Sequence, residues 1–103
     1  MELCDAVNQL AALAQETRLE IFRLLARQNQ SGLAAGDIAE SLQTPANTIS
    51  FHLKELVTAG MIQSQRDGRH VFYSIKAQGL RDLLAYLTED CCGGNPEMCH
   101  PIN

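Results

Sequence analysis

Apolar residues recur at helical spacing through the first half of the chain. Leu3, Val7, Leu10, Leu13 and Ala14 fall near one face, with small alanines between them, which predicts an amphipathic first helix. Thr17-Arg18-Leu19-Glu20 has the form of a capping box, in which hydroxyl and carboxylate each satisfy the other residue's amide. A second helix is expected from there, with Ile21, Phe22, Leu24 and Leu25 as a broad apolar face. Its expected stop is Ser31-Gly32, because glycine tolerates a left-handed cap. Ile38, Ala39 and Leu42 mark a short third helix after Gly36-Asp37, broken by Gln43-Thr44-Pro45. Thr44 is the expected N-cap of a fourth helix and Pro45 its first residue, where a missing N–H costs nothing. That helix runs to about Ala59-Gly60, with Ile49, Leu53, Leu56 and Val57 pointing inward. A short helix, a tight turn and a second helix of this size form a helix-turn-helix candidate.

The period then changes to two. Ile62, Ser64 and Arg66 alternate, Asp67-Gly68 follows, and Arg69, Val71, Tyr73 and Ile75 alternate again. Asp-Gly between alternating runs predicts a type I′ hairpin. A turn at those two residues sets Arg66 opposite Arg69, Ser64 opposite Val71 and Ile62 opposite Tyr73. The hairpin then buries Ile62, Val71 and Tyr73 and carries two arginines at its tip. A last helix follows, with Leu80, Leu83, Leu84 and Leu87 on one stripe and an end at Glu89-Asp90.

The predicted fold is therefore mainly α: a winged helix-turn-helix of order α-α-α-α-β-β-α. Residues 1–90 form the DNA-binding and dimerisation domain, and residues 91–103 a cysteine-rich tail. A chain of 103 residues suits one domain with a small core. The first and last helices carry apolar stripes outside the helix-turn-helix core, so a homodimer joined through them is expected. Two recognition helices related by a twofold axis would meet successive major grooves about 34 Å apart.

Charge first argues against this reading and then for it. The chain holds 8 basic and 12 acidic residues, net −4, whereas nucleic-acid binders are usually basic. Residues 45–76, however, hold Lys54, Arg66, Arg69 and Lys76 against Glu55 and Asp67, net +2, while the flanking segments are each −3. The positive segment is the recognition helix plus wing, as a phosphate-binding surface requires. Candidate DNA contacts follow. Asn47 suits bidentate contact with adenine, Ser50 a base edge or a phosphate, and Thr48 a phosphate. Lys54 and Phe51 share that helix face, and His52 is a candidate phosphate donor or, equally, a histidine packed on the core. Arg66 and Arg69 suit phosphates or a narrow minor groove.

These residues resemble the ArsR-type (ArsR/SmtB) metalloregulatory repressors. The resemblance is carried by Ala39, Leu42, Pro45, Ser50-Phe51-His52-Leu53, Leu56, Gly60-Met61-Ile62, Gly68-Arg69 and Phe72-Tyr73, and by Leu13-Ala14 through Thr17-Arg18-Leu19. It implies a homodimer on an inverted-repeat operator, released when a metal or metalloid binds. Two effector sites of such repressors are missing. Where one branch has Cys-x-Cys at the start of the third helix, this chain has Ala34 and Gly36. Where another needs histidines on the last helix, residues 80–90 hold none, and Asp82 and Glu89 read as solvated charges.

What remains is Cys91-Cys92-x6-Cys99. Thiolates are soft ligands. Three of them without a strong fourth suit a pyramidal As(III) or Sb(III) centre, whereas tetrahedral zinc wants a fourth ligand. Gly93-Gly94 and Asn95-Pro96 supply the chain reversal that convergence needs. This tail resembles that of arsenite-responsive members with a site at the end of the last helix. A zinc or cadmium site, a zinc-stabilised interaction module with His100 or Cys4 as fourth ligand, and an incidental tail are the alternatives. Cys4, alone on the first helix, reads as a small buried residue.

Other classes fit worse. A thiol redox enzyme would normally place Cys-x-x-Cys at a helix N-terminus, where the dipole lowers the thiol pKa, and this pair follows a helix C-terminus beside Glu89 and Asp90. No phosphate loop, nucleophile elbow or acid/base pair is present, so an enzyme is not expected. No run of 18 apolar residues spans a membrane, and MELCDAVNQL lacks the apolar stretch of a secretory signal. The expected setting is the cytoplasm, with the four cysteines as thiols.

Overall fold

In the computed structural model, residues 1–28 and 31–89 are described. Five helices and a three-stranded antiparallel sheet follow in the order α1 (Leu3–Leu13), α2 (Glu16–Ala26), β1 (Leu33–Ala34), α3 (Ala35–Leu42), α4 (Ala46–Thr58), β2 (Ile62–Asp67), β3 (His70–Ile75) and α5 (Ala77–Thr88). This is the winged helix-turn-helix expected from the periodicity, with one added strand. The inward faces of the helices meet in a single core, in which Ile21, Leu25, Ile38, Ile49, Leu53 and Leu56 are essentially inaccessible.

Local capping differs from the sequence expectation at three places. The N-cap of α2 is Gln15, not Thr17: Gln15 is extended, and its Oε1 accepts the Arg18 amide at 2.8 Å. Thr17 is therefore already helical. The helix ends at Ala26 with Arg27 as cap, short of Ser31-Gly32. Pro45 is the N-cap of α4, one residue later than the expected Thr44, because the Thr44 hydroxyl turns back to donate to the Leu42 carbonyl at 3.0 Å. The turn between α3 and α4 is made by Gln43 in the left-handed region, φ 51°, while the Thr44 amide reaches Ala39 O at 3.0 Å.

The strand order is β1-β3-β2. The hairpin register is shifted by two from the expected one. Asp67 pairs with His70, Arg66 with Val71, Ser64 with Tyr73 and Ile62 with Ile75, so the turn is Gly68-Arg69. Gly68 has φ +65° and Arg69 does not enter the positive region, the pattern of a type II′ turn, which needs glycine only at its first central position. Arg69 thus sits in the turn and Arg66 one step down the strand. Ile62 is buried, and Val71 and Tyr73 are half-buried. Strand β1 pairs Leu33 with Tyr73 and Ala34 with Phe72. A Cβ at Gly32, whose φ is +75°, would collide with the Tyr73 carbonyl, so glycine admits the chain to the sheet here.

Helix α5 packs unusually close to the end of α4. A Cβ at Gly79 would collide with the carbonyl oxygen of Gly60, the residue that closes α4 at φ +80°. Gln9 of α1 lies over this junction, 7% exposed, and its Oε1 has no hydrogen-bond partner among the described residues. The Lys76 amide donates to Met61 O at 3.1 Å, so the backbone holds the start of α5 beside the exit of α4.

On the outside, α1 exposes Leu3, Val7 and Leu10, and α5 exposes Leu84 and Leu87. Cys4 is exposed as well, which corrects its reading as a buried residue. It stands next to Leu3 on the outward side of α1, away from the buried positions Ala6, Gln9 and Ala12.

Candidate nucleic-acid interface

Helix α4 sorts its side chains sharply. Ile49, Leu53 and Leu56 are buried at helical spacing. Asn47, Ser50, Phe51 and Lys54 are exposed on the opposite side, and Thr48 is half-buried between the two. The core contacts therefore fix the rotation of α4 and present the polar face outward. The Asn47 Oδ1 accepts the Thr48 amide at 3.0 Å, which steadies the side chain and leaves its NH2 group and second lone pair available. Arg66 and Arg69 are exposed at the end of the wing. Asn47, Ser50, Lys54, Arg66 and Arg69 are thus all exposed within the positively charged segment 45–76.

His52 does not belong to that set. It is 9% exposed, three residues after Ile49 and four before Leu56, so it shares their side of the helix. Its Nδ1 lies 3.1 Å from Arg18 Nη1. Arginine only donates, so Nδ1 accepts and the ring is neutral with its proton on Nε2. Arg18 also donates through Nε to Ala12 O at 2.7 Å. One guanidinium thus ties the end of α1 and the start of α2 to the recognition helix. The signal for this role of Arg18 in the sequence is its position just after the α1–α2 break, which puts the side chain within reach of both helices.

Burial lowers the His52 pKa below its ordinary 6.5, the Arg18 charge lowers it further, and Glu55 opposes them. The folded state therefore binds fewer protons at this site than the unfolded chain, and stability rises with pH. The contribution is complete above about 6.5 and is lost as pH falls through the lower folded value. Thermal melting between pH 5 and 7.5 is expected to steepen below pH 6.5 in the wild type. His52→Gln, which keeps an acceptor for Arg18, is expected to flatten that dependence. Equal slopes in both proteins would remove His52 as the cause.

The three candidate effector ligands, Cys91, Cys92 and Cys99, lie outside the described residues, as does His100. Within them, α5 ends at Thr88 and Glu89 is already extended, so the helix stops before the cysteine segment begins. Among the described residues no group of three His, Cys, Asp or Glu side chains is placed to hold a metal, and no helix is long and apolar enough to cross a membrane.

An exposed polar helix held by a helix-turn-helix and followed by a basic wing defines a DNA-binding domain of the winged-helix class. Residues 13–65 match the family model described as a helix-turn-helix domain. The chain is 30% identical to the HTH-type transcriptional regulator KmtR of Mycobacterium tuberculosis over 81% of its own length and 62% of KmtR's, so it spans less than two thirds of that relative. It superposes on a solved structure described as a possible transcriptional regulator for arsenical resistance, with TM-score 0.67 and 31% identity over 78% of this chain and 80% of that one. The homodimeric winged helix-turn-helix domain of Mb0332 from Mycobacterium bovis, a possible ArsR-family regulator, gives TM-score 0.68 and 27% identity over 85% and 82%. The chain belongs to the ArsR/SmtB family of winged-helix transcriptional regulators. Its relatives regulate transcription and are not enzymes.

Proposed function

We propose that this protein is a cytoplasmic repressor that binds an inverted-repeat operator as a homodimer and is released by As(III), with Sb(III) as a second effector of the same chemistry. The observation that carries the DNA half is the exposure of Asn47, Ser50 and Lys54 on α4 and of Arg66 and Arg69 on the wing, all within the positively charged segment of an otherwise acidic chain. Asn47 and Ser50 read base edges, while Thr48, Lys54 and the two arginines hold phosphates. The exposed leucines of α1 and α5 supply the dimer surface, in keeping with the homodimeric Mb0332 domain.

The effector half rests on ligand chemistry. Cys91, Cys92 and Cys99 of the tail 91–103 provide three soft thiolates, which suit a three-coordinate trivalent metalloid better than a four-coordinate zinc ion. A relative's description in terms of arsenical resistance supports the same reading. Binding at the end of α5 alters how that helix packs. The start of α5 rests on Gly60 at the exit of α4, so repacking of α5 reaches the recognition helix through backbone contact. The effector releases DNA only as far as it prefers the released arrangement.

An operator mobility shift with and without arsenite tests this on the wild type and on Cys91→Ser, Cys92→Ser and Cys99→Ser. Arsenite is expected to weaken wild-type binding by about 5–150-fold, the usual range of allosteric coupling, and to leave the serine variants bound. Failure to release the wild type, or equal release of all three variants, overturns the effector assignment.

A further inference from the structure

Phe51 is an exposed apolar side chain on α4 that the functions above leave unused. It is 56% exposed. Its ring stands T-shaped to the His52 ring, with centroids 5.3 Å apart and planes at 68°. His52 is itself buried and held by Arg18, so the aromatic neighbour at the root of Phe51 is fixed. An isolated exposed apolar residue is ordinary on a protein surface. This one, however, stands one turn beyond Asn47 and one turn before Lys54, within a face otherwise made of polar residues.

We propose that Phe51 reads the 5-methyl group of thymine in the major groove. The proposal rests on the DNA-binding reading above and adds a base preference to it. In the major groove, thymine offers an apolar methyl group that no other standard base presents, and phenylalanine is among the side chains that meet it. Asn47 and Phe51 are four residues apart, about 6 Å along the helix, against roughly 3.4 Å per base step. An adenine read by Asn47 and a thymine read by Phe51 therefore lie within about two base steps of each other. The flanking Lys54, with Arg66 and Arg69 on the wing, favours a polyanion over another protein surface as the occupant of this face.

The test uses the full-length protein and the duplex it recovers by selection from a random-sequence pool. Deoxyuridine then replaces thymidine at each half-site position in turn, which removes the methyl group and keeps the base-pairing edge. At one position per half-site the wild type is expected to lose about four-fold in affinity, the worth of one buried methyl group, and about 16-fold when both half-sites are changed. Phe51→Gln is expected to bind the thymine and uracil duplexes equally, with unchanged melting because the side chain is exposed. Wild-type binding that ignores every such replacement overturns the proposal, and so does a change of oligomeric state in Phe51→Gln, which would make the ring a protein contact. If the wild type selects no duplex and binds none in a salt-dependent way, the DNA-binding reading itself fails, an outcome distinct from the other two.

Discussion

Gly79→Ala is expected to lower the melting temperature by roughly 10 °C, even though alanine is the better helix former. The gain in helix propensity is at most about 1 kcal/mol. Against it stands the Gly60 carbonyl, which occupies the place the new methyl group needs. A backbone oxygen cannot swing aside like the end of a side chain, so α5 or the exit of α4 must move. Overpacking of this kind costs about 1–3 kcal/mol, and more where two backbones meet. For a domain of this size each kcal/mol is about 4–8 °C. Gly36→Ala is the matched control: it too lies in a helix, α3, has a negative φ, and its Cβ would meet nothing within 4 Å. It is expected to hold or raise the melting temperature. Calorimetry of both variants at one protein concentration decides the matter, since a dimer's melting depends on concentration. An unchanged Gly79→Ala melt would show that the α4–α5 contact yields without cost. Operator affinity in the same variant reports whether the junction also positions the recognition helix.

Val7→Lys is expected to leave the fold intact and to weaken operator binding on the order of 100-fold or more. Val7 is 54% exposed in one chain and sits between Leu3 and Leu10 on the outward stripe of α1. Lysine is a good helix former, so the single chain keeps its structure. In a dimer joined through α1 and α5, two lysines would instead be buried without partners, at a cost of several kcal/mol. Sedimentation velocity is expected to give a monomer with wild-type circular dichroism. A monomer engages one half-site at a time and forfeits the linkage between them, a loss on the order of 100-fold or more. A persistent dimer would move the interface away from α1.

The helices were legible because each has a buried stripe at the right period. The α3–α4 break was legible because Thr44-Pro45 cannot continue a helix. Strand β1 was not, since Leu33–Ala34 is too short to show any period and exists only by pairing with β3. The hairpin turn was misplaced by one residue because Asp-Gly suggests a type I′ turn, whereas glycine at the first central position makes Gly68-Arg69 a II′ turn instead. Gln15 capping α2 was hidden for a related reason, because Thr17-Glu20 matched a stronger motif two residues later. On the interface, Asn47, Ser50 and Lys54 lie where the helical phase puts them. His52 was open between two roles, although its spacing from Ile49 and Leu56 already placed it on the core side. The Gly60–Gly79 contact joins residues whose proximity no local pattern records.

The strand order has a further consequence for how the chain behaves when its fold loosens. Val71–Ile75 is an uncharged, β-prone run without proline, the kind of segment that seeds cross-β aggregation when exposed. It lies in β3, the central strand, with β2 along one edge and the two residues of β1 along part of the other. The outer edge is left to β2, whose residues from Gln63 to Asp67 are exposed and polar or charged, an edge that discourages strand addition. The wing therefore also acts as a sheath. Loosening of the hairpin uncovers the sticky strand, so loss of solubility on heating is expected to track the opening of the wing.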